Sequence, residues 1–131
     1  MVKNSIKYLW IVSIVKENNF ERLFQRSFVN REKDDDLLLG FFSSIMEFAK
    51  KIAQDDLENI EMKDSLVFYK FADEFFIVIV TEKDVNKKKI NKLLLNIKNS
   101  FENQYHGLFD TKNKDIFQHF NESIDIMLDN L

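Results

Sequence analysis

Two runs of the chain are apolar at nearly every position, residues 6–15 (IKYLWIVSIV) and residues 75–80 (FFIVIV). β-Branched and aromatic side chains dominate both runs, and such side chains favour strands. A strand that is apolar on both sides is typical of the centre of a covered sheet. We therefore predict that these two strands lie side by side in the middle of one sheet.

Three shorter segments complete the predicted sheet. Residues 20–28 (FERLFQRSF) mix polar and apolar positions, as expected for an edge strand in a hairpin with the first run. Residues 57–64 show a short alternation around Ile60, and residues 65–71 (SLVFYKF) lead into the second apolar run through a polar turn. The pattern therefore predicts five strands in two antiparallel groups.

Between these two groups of strands, apolar spacings of three and four residues predict a helix over residues 37–53. The acidic residues 34–36 precede it, and acidic side chains favour a helix start through capping and the macrodipole. We expect the centre of its apolar face to consist of Leu38, Phe42, Ile45, Ala49 and Ile52.

Two further helices are predicted after the sheet. The first has Asp84 as its N-cap and ends near Tyr105, where Gly107 suits a left-handed C-cap. The second begins at Asn113 or Asp115. Their predicted inward positions are Ile90, Leu93, Leu94, Ile97, Phe101, Tyr105, Phe117, Phe120, Ile124, Met127 and Leu131.

These elements give the order β-β-α-β-β-β-α-α in a single domain, residues 1–131. The predicted fold class is α+β, an α/β three-layer sandwich with one five-stranded antiparallel sheet. Both faces of the two central strands need cover. We therefore expect the 37–53 helix on one face of the sheet and the two later helices on the other.

The predicted 37–53 helix is more apolar than one sheet face requires. At about 100° per residue its apolar positions span about 200°, whereas a helix on a single face needs a stripe of about 100°. One flank carries Leu37, Phe41 and Phe48 beside the small residues Gly40 and Ser44. Two interpretations stay open: a Phe-rich core surrounds the helix widely, or the flank packs against a partner.

The composition of the chain excludes several kinds of chemical site. The chain has no Cys, no Pro, 2 Gly and 14 Phe, which excludes disulfides and thiolate metal sites and leaves ample material for a core. The longest apolar stretch, residues 8–15, is far shorter than the about 20 residues of a membrane-spanning helix, and no signal-peptide cleavage pattern follows it. We expect a cytoplasmic protein without an integral membrane segment.

No residue pattern typical of an enzyme or a cofactor site is present in the sequence. A metal site at His106 and His119 would need more ligands in suitable positions, which Asp110 and Asp115 could supply. We interpret His106 instead as the end of a helix and His119 as a surface residue. Neither glycine lies at a helix start, where a phosphate-binding loop would need it. We therefore expect no catalytic residues, no bound metal and no cofactor, and we do not expect an enzyme.

Lysines cluster from Lys83 to Lys92, near the start of the first helix after the sheet. Cations at a helix start oppose the macrodipole, so helix stability alone does not explain them. Two interpretations stay open: a solvated surface, or a docking site for phosphate or acidic lipid. The net charge of −3 gives no general attraction to nucleic acid.

The order and lengths of these elements resemble the longin fold over nearly the whole chain. The segments that carry the resemblance are YLWIVSIV, LFQRSF, DDDLLLGFFSSIMEFAKKI, LVFYKFADEFFIVIV, INKLLLNIKNSFENQY and FQHFNESIDIML. Longin-like proteins include amino-terminal domains of some vesicle SNAREs, small subunits of coat adaptors, tethering-complex subunits and guanine-nucleotide-exchange subunits. Relatives also occur in archaea that encode many small GTPases.

This resemblance implies a non-enzymatic scaffold that dimerises and engages small-GTPase regulatory or vesicle-trafficking-like machinery. The implied partner is a second copy, another longin-like or roadblock-like domain, or a small GTPase, and membrane contact would be peripheral, through that partner. In related folds the first helix and the neighbouring strand edge commonly form the dimer surface. The implied partner-binding residues are Leu37, Gly40, Phe41, Ser44, Phe48 and Ile60.

Two other functions fit a five-stranded sheet with helices. A PAS-like small-molecule sensor has such a sheet, but PAS domains place several helices between their second and third strands, and here one is predicted. A profilin-like actin binder usually begins with a helix, whereas this chain is predicted to begin with a strand.

Overall fold

The computed structural model describes residues 2–16, 19–28, 59–61, 64–109 and 111–131. Within these ranges one sheet contains the strands β1 (Ile6–Lys16), β2 (Asn19–Ser27), β3 (Asn59–Glu61), β4 (Leu66–Phe71) and β5 (Phe75–Thr81). The same ranges contain the helices α1 (Lys87–Tyr105) and α2 (Phe120–Asp129), with 3-10 helices at Val2–Ser5 and Lys114–His119. The described part of the chain therefore has a mixed α+β fold.

The two apolar runs occupy the centre of the sheet, as predicted. The strand order is β2-β1-β5-β4-β3, and every neighbouring pair is antiparallel. Residues of β1 lie opposite residues of β5 at Leu9–Ile79 and Ile11–Ile77. Because β1 and β5 each have a neighbour on both sides, the first and the last of the described strands lie in the middle of the sheet.

Side chains of the central strands alternate between two separate clusters on opposite faces of the sheet. On the first face, Leu9 and Ile77 join a cluster that also contains the buried residues of both helices. On the second face, Trp10 and Val78 join a cluster that contains, in the described ranges, strand residues only. The helices α1 and α2 therefore pack on the first face.

The edge strand β2 contains a bulge that its sequence does not reveal. Ile11 lies opposite Phe24 and Val12 opposite Arg22, so Leu23 is an extra residue in β2. Leu23 and Phe24 are consecutive and are both buried in the first-face cluster. The bulge thus explains how two adjacent apolar side chains reach the same side of a strand.

Helix α1 begins later than predicted. Its N-cap is Asn86, whose side-chain oxygen accepts a hydrogen bond from the Lys89 N–H at 3.2 Å. The prediction of Asp84 as N-cap is wrong, because Val85 is buried in the core and the chain completes a turn before the helix starts. The end of the helix is confirmed: it stops at Tyr105, and Gly107 has a φ of 79°.

The last helical segment also differs from its prediction. Asn113 is confirmed as a cap, since its side-chain oxygen accepts from the Asp115 N–H at 3.2 Å, but it caps a 3-10 helix rather than an α-helix. A 3-10 turn has about three residues instead of 3.6, which shifts the inward positions of α2 that follow it. Leu128 is therefore fully inward, whereas Met127, which we predicted there, is half-buried.

Aromatic rings form the middle of the first-face core. Phe101 lies at the centre, with its ring centroid 4.8–5.8 Å from those of its neighbours. Those neighbours are Phe75, Tyr105, Phe109, Phe117 and Phe120. One ring of α1 therefore connects β5, the loop after α1, the 3-10 helix and α2.

Burial within this aromatic core raises the pKa of the Tyr105 hydroxyl above its ordinary value of 10.0. The folded protein then keeps this proton at a pH where the unfolded chain loses it. The contribution of the Tyr105 hydroxyl to the free energy of unfolding is therefore fully present below pH 10.0, and it is lost as the pH rises through the folded pKa. We expect urea unfolding above that pH to show a steeper loss of stability for the wild type than for Tyr105→Phe. Equal slopes would contradict the prediction.

Candidate functional site

Most of the predicted partner-binding residues fall where the structure gives no description. The predicted 37–53 helix, with Leu37, Gly40, Phe41, Ser44 and Phe48, lies outside the described residues. The sixth predicted residue, Ile60, lies in the middle of β3 at one edge of the sheet. Of the predicted 57–64 strand, residues 59–61 form the three-residue strand β3, and residue 64 lies outside it.

The second face of the sheet is the large apolar surface next to this edge. We use the name second face for its buried side chains, which are Tyr8, Trp10, Val12, Val67, Tyr69, Phe76, Val78 and Val80. Val12 and Val78 are 0% exposed and Trp10 is 5% exposed. Ile60 is partly buried against this surface. The second face is therefore deeply buried.

Several aromatic rings of the second face pack against one another. The rings of Tyr8 and Trp10 stack 5.7 Å apart and are nearly parallel, with an interplanar angle of 10°. Towards the other end, the Phe71 ring lies 5.3 Å from the ring of Phe76 and 6.0 Å from that of Tyr69. The surface is therefore a layer of interlocked aromatic and β-branched side chains, which suits packing against another apolar element.

The two edge strands differ in their capacity to pair with another strand. At one edge, β2 has nine residues, but its bulge at Leu23 disturbs the regular spacing that a new strand would need. At the other edge, β3 has three residues, and its Glu61 forms a 3.4 Å ion pair with Lys83. Ile60 is therefore better placed to contact a partner through its side chain than through strand pairing.

The predicted lysine cluster is exposed at the start of α1. Lys87, Lys88, Lys89 and Lys92 are all exposed, and the first turn of α1 has no acidic residue. None of these four lysines forms an ion pair with a residue that the structure describes. Only Lys83, before the helix, has a described partner, Glu61.

A groove runs between the start of α1 and the end of α2. It encloses about 250 Å³ and is lined by two lysines of α1, two asparagines and three apolar residues of the carboxyl-terminal segment. These lining residues are Lys89, Lys92, Asn96, Ile126, Met127, Asn130 and Leu131. Ile126 is 63% exposed. The groove thus has one basic wall and one apolar wall.

The two histidines are both exposed, His106 directly after α1 and His119 directly before α2. Among the residues that the structure describes, no group of three or more His, Asp or Glu side chains is placed to hold a metal ion. In the same ranges, no helix combines the length and the apolar character that crossing a bilayer requires.

No family model matches the chain, and no curated protein sequence matches it significantly. The functional interpretation therefore rests on the residues themselves.

The sequence pattern did not predict that Ile126 is exposed or that a groove lies beside it. Ile126 sits among apolar neighbours in IDIML, so its sequence context does not mark it as exposed. A signal was nevertheless present, because Ile126 lies two residues from Ile124 and therefore off the stripe that Phe120 and Ile124 define. The groove itself depends on how α1 and α2 pack, which no local pattern indicates.

Proposed function

We propose that this chain is a non-enzymatic protein-interaction module that resembles longin domains. In this proposal it dimerises and engages small-GTPase regulatory or vesicle-trafficking-like machinery. The observation that carries the proposal is the strand order β2-β1-β5-β4-β3, with the first and last strands paired in the centre. This order supports a longin-like arrangement, because the resemblance implies one sheet with the same two antiparallel groups of strands.

The proposed cover of the second face is the predicted 37–53 helix. Two observations support this assignment: the second-face side chains are buried, and the described helices pack with the first-face cluster. A side chain on a sheet is buried only when something lies over it, and the apolar centre of the 37–53 helix, around Ile45, suits that position. The proposed architecture thus has one helix on the second face and two on the first.

The proposed partner surface is the flank of the same helix. When Leu38, Phe42 and Ile45 face the sheet, the flank with Phe41 points to one side, beside the small residue Ser44. Ile60 supports this location, since it lies at the sheet edge and packs against the second face. The partner in this proposal is a second copy for the dimer and a small GTPase for the assembled pair.

Cysteine cross-linking tests the dimer, because the chain has no native cysteine. Ser44→Cys places a thiol beside the Phe41 flank, whereas Ser43→Cys places one about 100° away on the polar side of the same helix. We expect mild oxidation to join two copies of Ser44→Cys and to leave Ser43→Cys unjoined. Equal cross-linking of both variants, or none in a folded Ser44→Cys protein, would refute the proposed dimer surface.

Binding of a small GTPase is tested separately. Small GTPases encoded by the same genome are loaded with GDP or with a non-hydrolysable GTP analogue and titrated calorimetrically with the chain. We expect at least one to bind, with an affinity that depends on the nucleotide and that weakens in Phe41→Ser. Absence of binding to all of them would refute this part of the proposal, whatever the cross-linking shows.

A further inference from the structure

Helix α1 carries positive charge and no negative charge along most of its length. Residues 87–101 contain five lysines and no Asp or Glu, and at about 1.5 Å per residue they extend over about 21 Å. Four of the lysines are exposed and the last is half-buried; they are Lys87, Lys88, Lys89, Lys92 and Lys98. Positive charge in the first turn of a helix costs stability, so the stability of α1 does not account for the lysines there.

An exposed leucine lies within this basic stretch. Leu95 is 45% exposed, and its neighbours on the surface of the helix are the residues three and four positions away. These neighbours are Asn91, Lys92, Lys98 and Asn99. On its own helix, Leu95 therefore projects from a surface of lysine and asparagine side chains. We use the name basic face for Leu95 and the five lysines.

The centre of the basic face lies on the opposite side of α1 from the core. Ile90 and Ile97 of this helix are buried in the first-face cluster. At about 100° per residue, Lys88 lies about 160° around the helix from Ile90, and Leu95 lies about 160° from Ile97. The basic face is therefore directed away from the sheet.

Two acidic residues of the helices lie far from the start of α1. Glu102 and Glu122 are near the end of α1, where the Gln104 side chain donates to the Ser123 hydroxyl at 2.9 Å. That end is about 25 Å from the start of the helix, and at 0.1 M salt charges are largely screened beyond about 10 Å. These carboxylates therefore do little to the potential around the first lysines.

Other acidic residues near α1 leave its start positively charged. In α2, Asp125 pairs with an arginine of β2 at 2.7 Å, and Asp129 also has a partner. Before α1, Glu82 and Asp84 are exposed. Residues 82–98 nevertheless contain six lysines against these two acidic residues, which is a net charge of +4.

The chemistry of the basic face favours an anionic lipid surface as its partner. Its cations are lysines, whose compact charge needs no fixed geometry, whereas the arginines that the structure describes, Arg22 and Arg26, lie on β2. The face is the convex side of a helix, which a flat membrane can meet. Basic residues around an exposed aliphatic side chain are typical of helices that lie on a membrane.

A nucleic acid fits this face less well than a lipid surface does. Its backbone offers phosphates to the lysines but no apolar region to Leu95. Binding of single strands also uses aromatic side chains on which bases stack. The single aromatic residue of the stretch 87–101 is Phe101, which is 0% exposed and cannot stack on a base.

We propose that the basic face of α1 binds the surface of a membrane that contains anionic phospholipids. In this contact the lysine ammonium groups lie at the level of the lipid phosphates, and Leu95 is inserted below them. A basic patch with one exposed leucine gives weak and reversible binding, so the contact is peripheral. It uses neither the 37–53 flank nor Ile60, and it therefore goes beyond the proposed function.

Sedimentation of the chain with vesicles tests this contact. The vesicles consist of phosphatidylcholine alone or of phosphatidylcholine with phosphatidylserine. We expect the wild-type chain to sediment with the second kind and not with the first. We also expect binding to weaken as the salt concentration rises from about 0.05 M to about 0.5 M, because salt screens the attraction between lysine and phosphate.

Removal of charge from the basic face should weaken binding. We expect Lys88→Gln with Lys92→Gln to bind the phosphatidylserine vesicles at least about tenfold less tightly, since each lysine near an anionic surface contributes about fivefold. Glutamine is a good helix former, and less positive charge near the helix start favours the dipole, so circular dichroism should show an intact fold. Lys70→Gln with Lys112→Gln removes the same charge from β4 and from the loop after α1 and should leave binding nearly unchanged.

The leucine is tested separately from the lysines. We expect Leu95→Asn to weaken vesicle binding by about three- to tenfold, because the apolar side chain that leaves water on binding is lost. Ile126→Asn is the matched control, since Ile126 is 63% exposed but lies among the acidic residues of α2. The control should bind the vesicles as the wild type does.

Three results would overturn the inference. One is a folded wild-type chain that does not sediment with phosphatidylserine vesicles at low salt, or that binds phosphatidylcholine alone equally well. Another is vesicle binding that Lys88→Gln with Lys92→Gln weakens no more than the control pair of substitutions does. The third is a chain that binds single-stranded RNA through the same lysines more tightly than it binds the vesicles, since the face would then serve a nucleic acid. None of these outcomes affects the Ser44→Cys cross-link, so the two proposals fail separately.

Discussion

Replacing Phe101 by Ala is expected to lower the free energy of unfolding by about 3–5 kcal/mol. The side chain is 0% exposed and its ring contacts rings from β5, the loop after α1, the 3-10 helix and α2. Truncation removes the buried ring and leaves a cavity among aromatic neighbours that are rigid and cannot collapse into it. Urea unfolding followed by circular dichroism measures the loss.

Leu95→Ala is the control for this prediction, because Leu95 lies on the same helix and is 45% exposed. An exposed substitution of this kind changes stability by about 0.5 kcal/mol or less. A Phe101→Ala variant no less stable than Leu95→Ala would mean that α1 does not pack on the first face.

Replacing Val78 by Asp is expected to unfold the domain. Val78 is 0% exposed on the second face, where it lies opposite Trp10 of β1 and Tyr69 of β4. A carboxylate at this position loses its water without gaining a partner, which costs several kcal/mol. That loss is comparable to the whole stability of a typical small domain, about 5–15 kcal/mol.

Val78→Thr is the control, since it keeps the branched shape and adds one hydroxyl. We expect Val78→Thr to stay folded with a loss of about 1–3 kcal/mol, and Val78→Asp to lose its cooperative unfolding transition. A folded Val78→Asp protein whose stability equals that of Val78→Thr would show that water reaches the second face in solution.

The sequence predicted the centre of the sheet correctly because burial on both sides leaves a continuous apolar run. The runs that became β1 and β5 needed no tertiary information, and their pairing is confirmed. The long helix after the sheet is also confirmed, because its apolar side chains form a regular stripe along one side of α1. Its buried positions are Ile90, Leu93, Leu94, Ile97, Phe101 and Tyr105, as predicted.

The cap of α1, the bulge in β2 and the exposure of Ile126 were not predictable, because each depends on how the chain packs in the folded protein. Asp84 and Asn86 are both good caps, and the burial of Val85 decides between them only in the folded core. The bulge at Leu23 depends on how β2 pairs with β1. The exposure of Ile126 depends on the 3-10 helix that precedes α2 and on the packing of α2 against α1.

Fluorescence of Trp10, the single tryptophan of the chain, tests most directly whether the 37–53 helix covers the second face. We expect Trp10 to emit as a buried indole and to resist quenching by acrylamide in the wild type. Ile45→Ser, in the centre of the apolar face of that helix, should make Trp10 accessible to acrylamide while circular dichroism still shows a folded sheet. Phe48→Ser, on the flank, should leave the quenching unchanged. Equal quenching of Trp10 in the wild type and both variants would contradict the proposed cover.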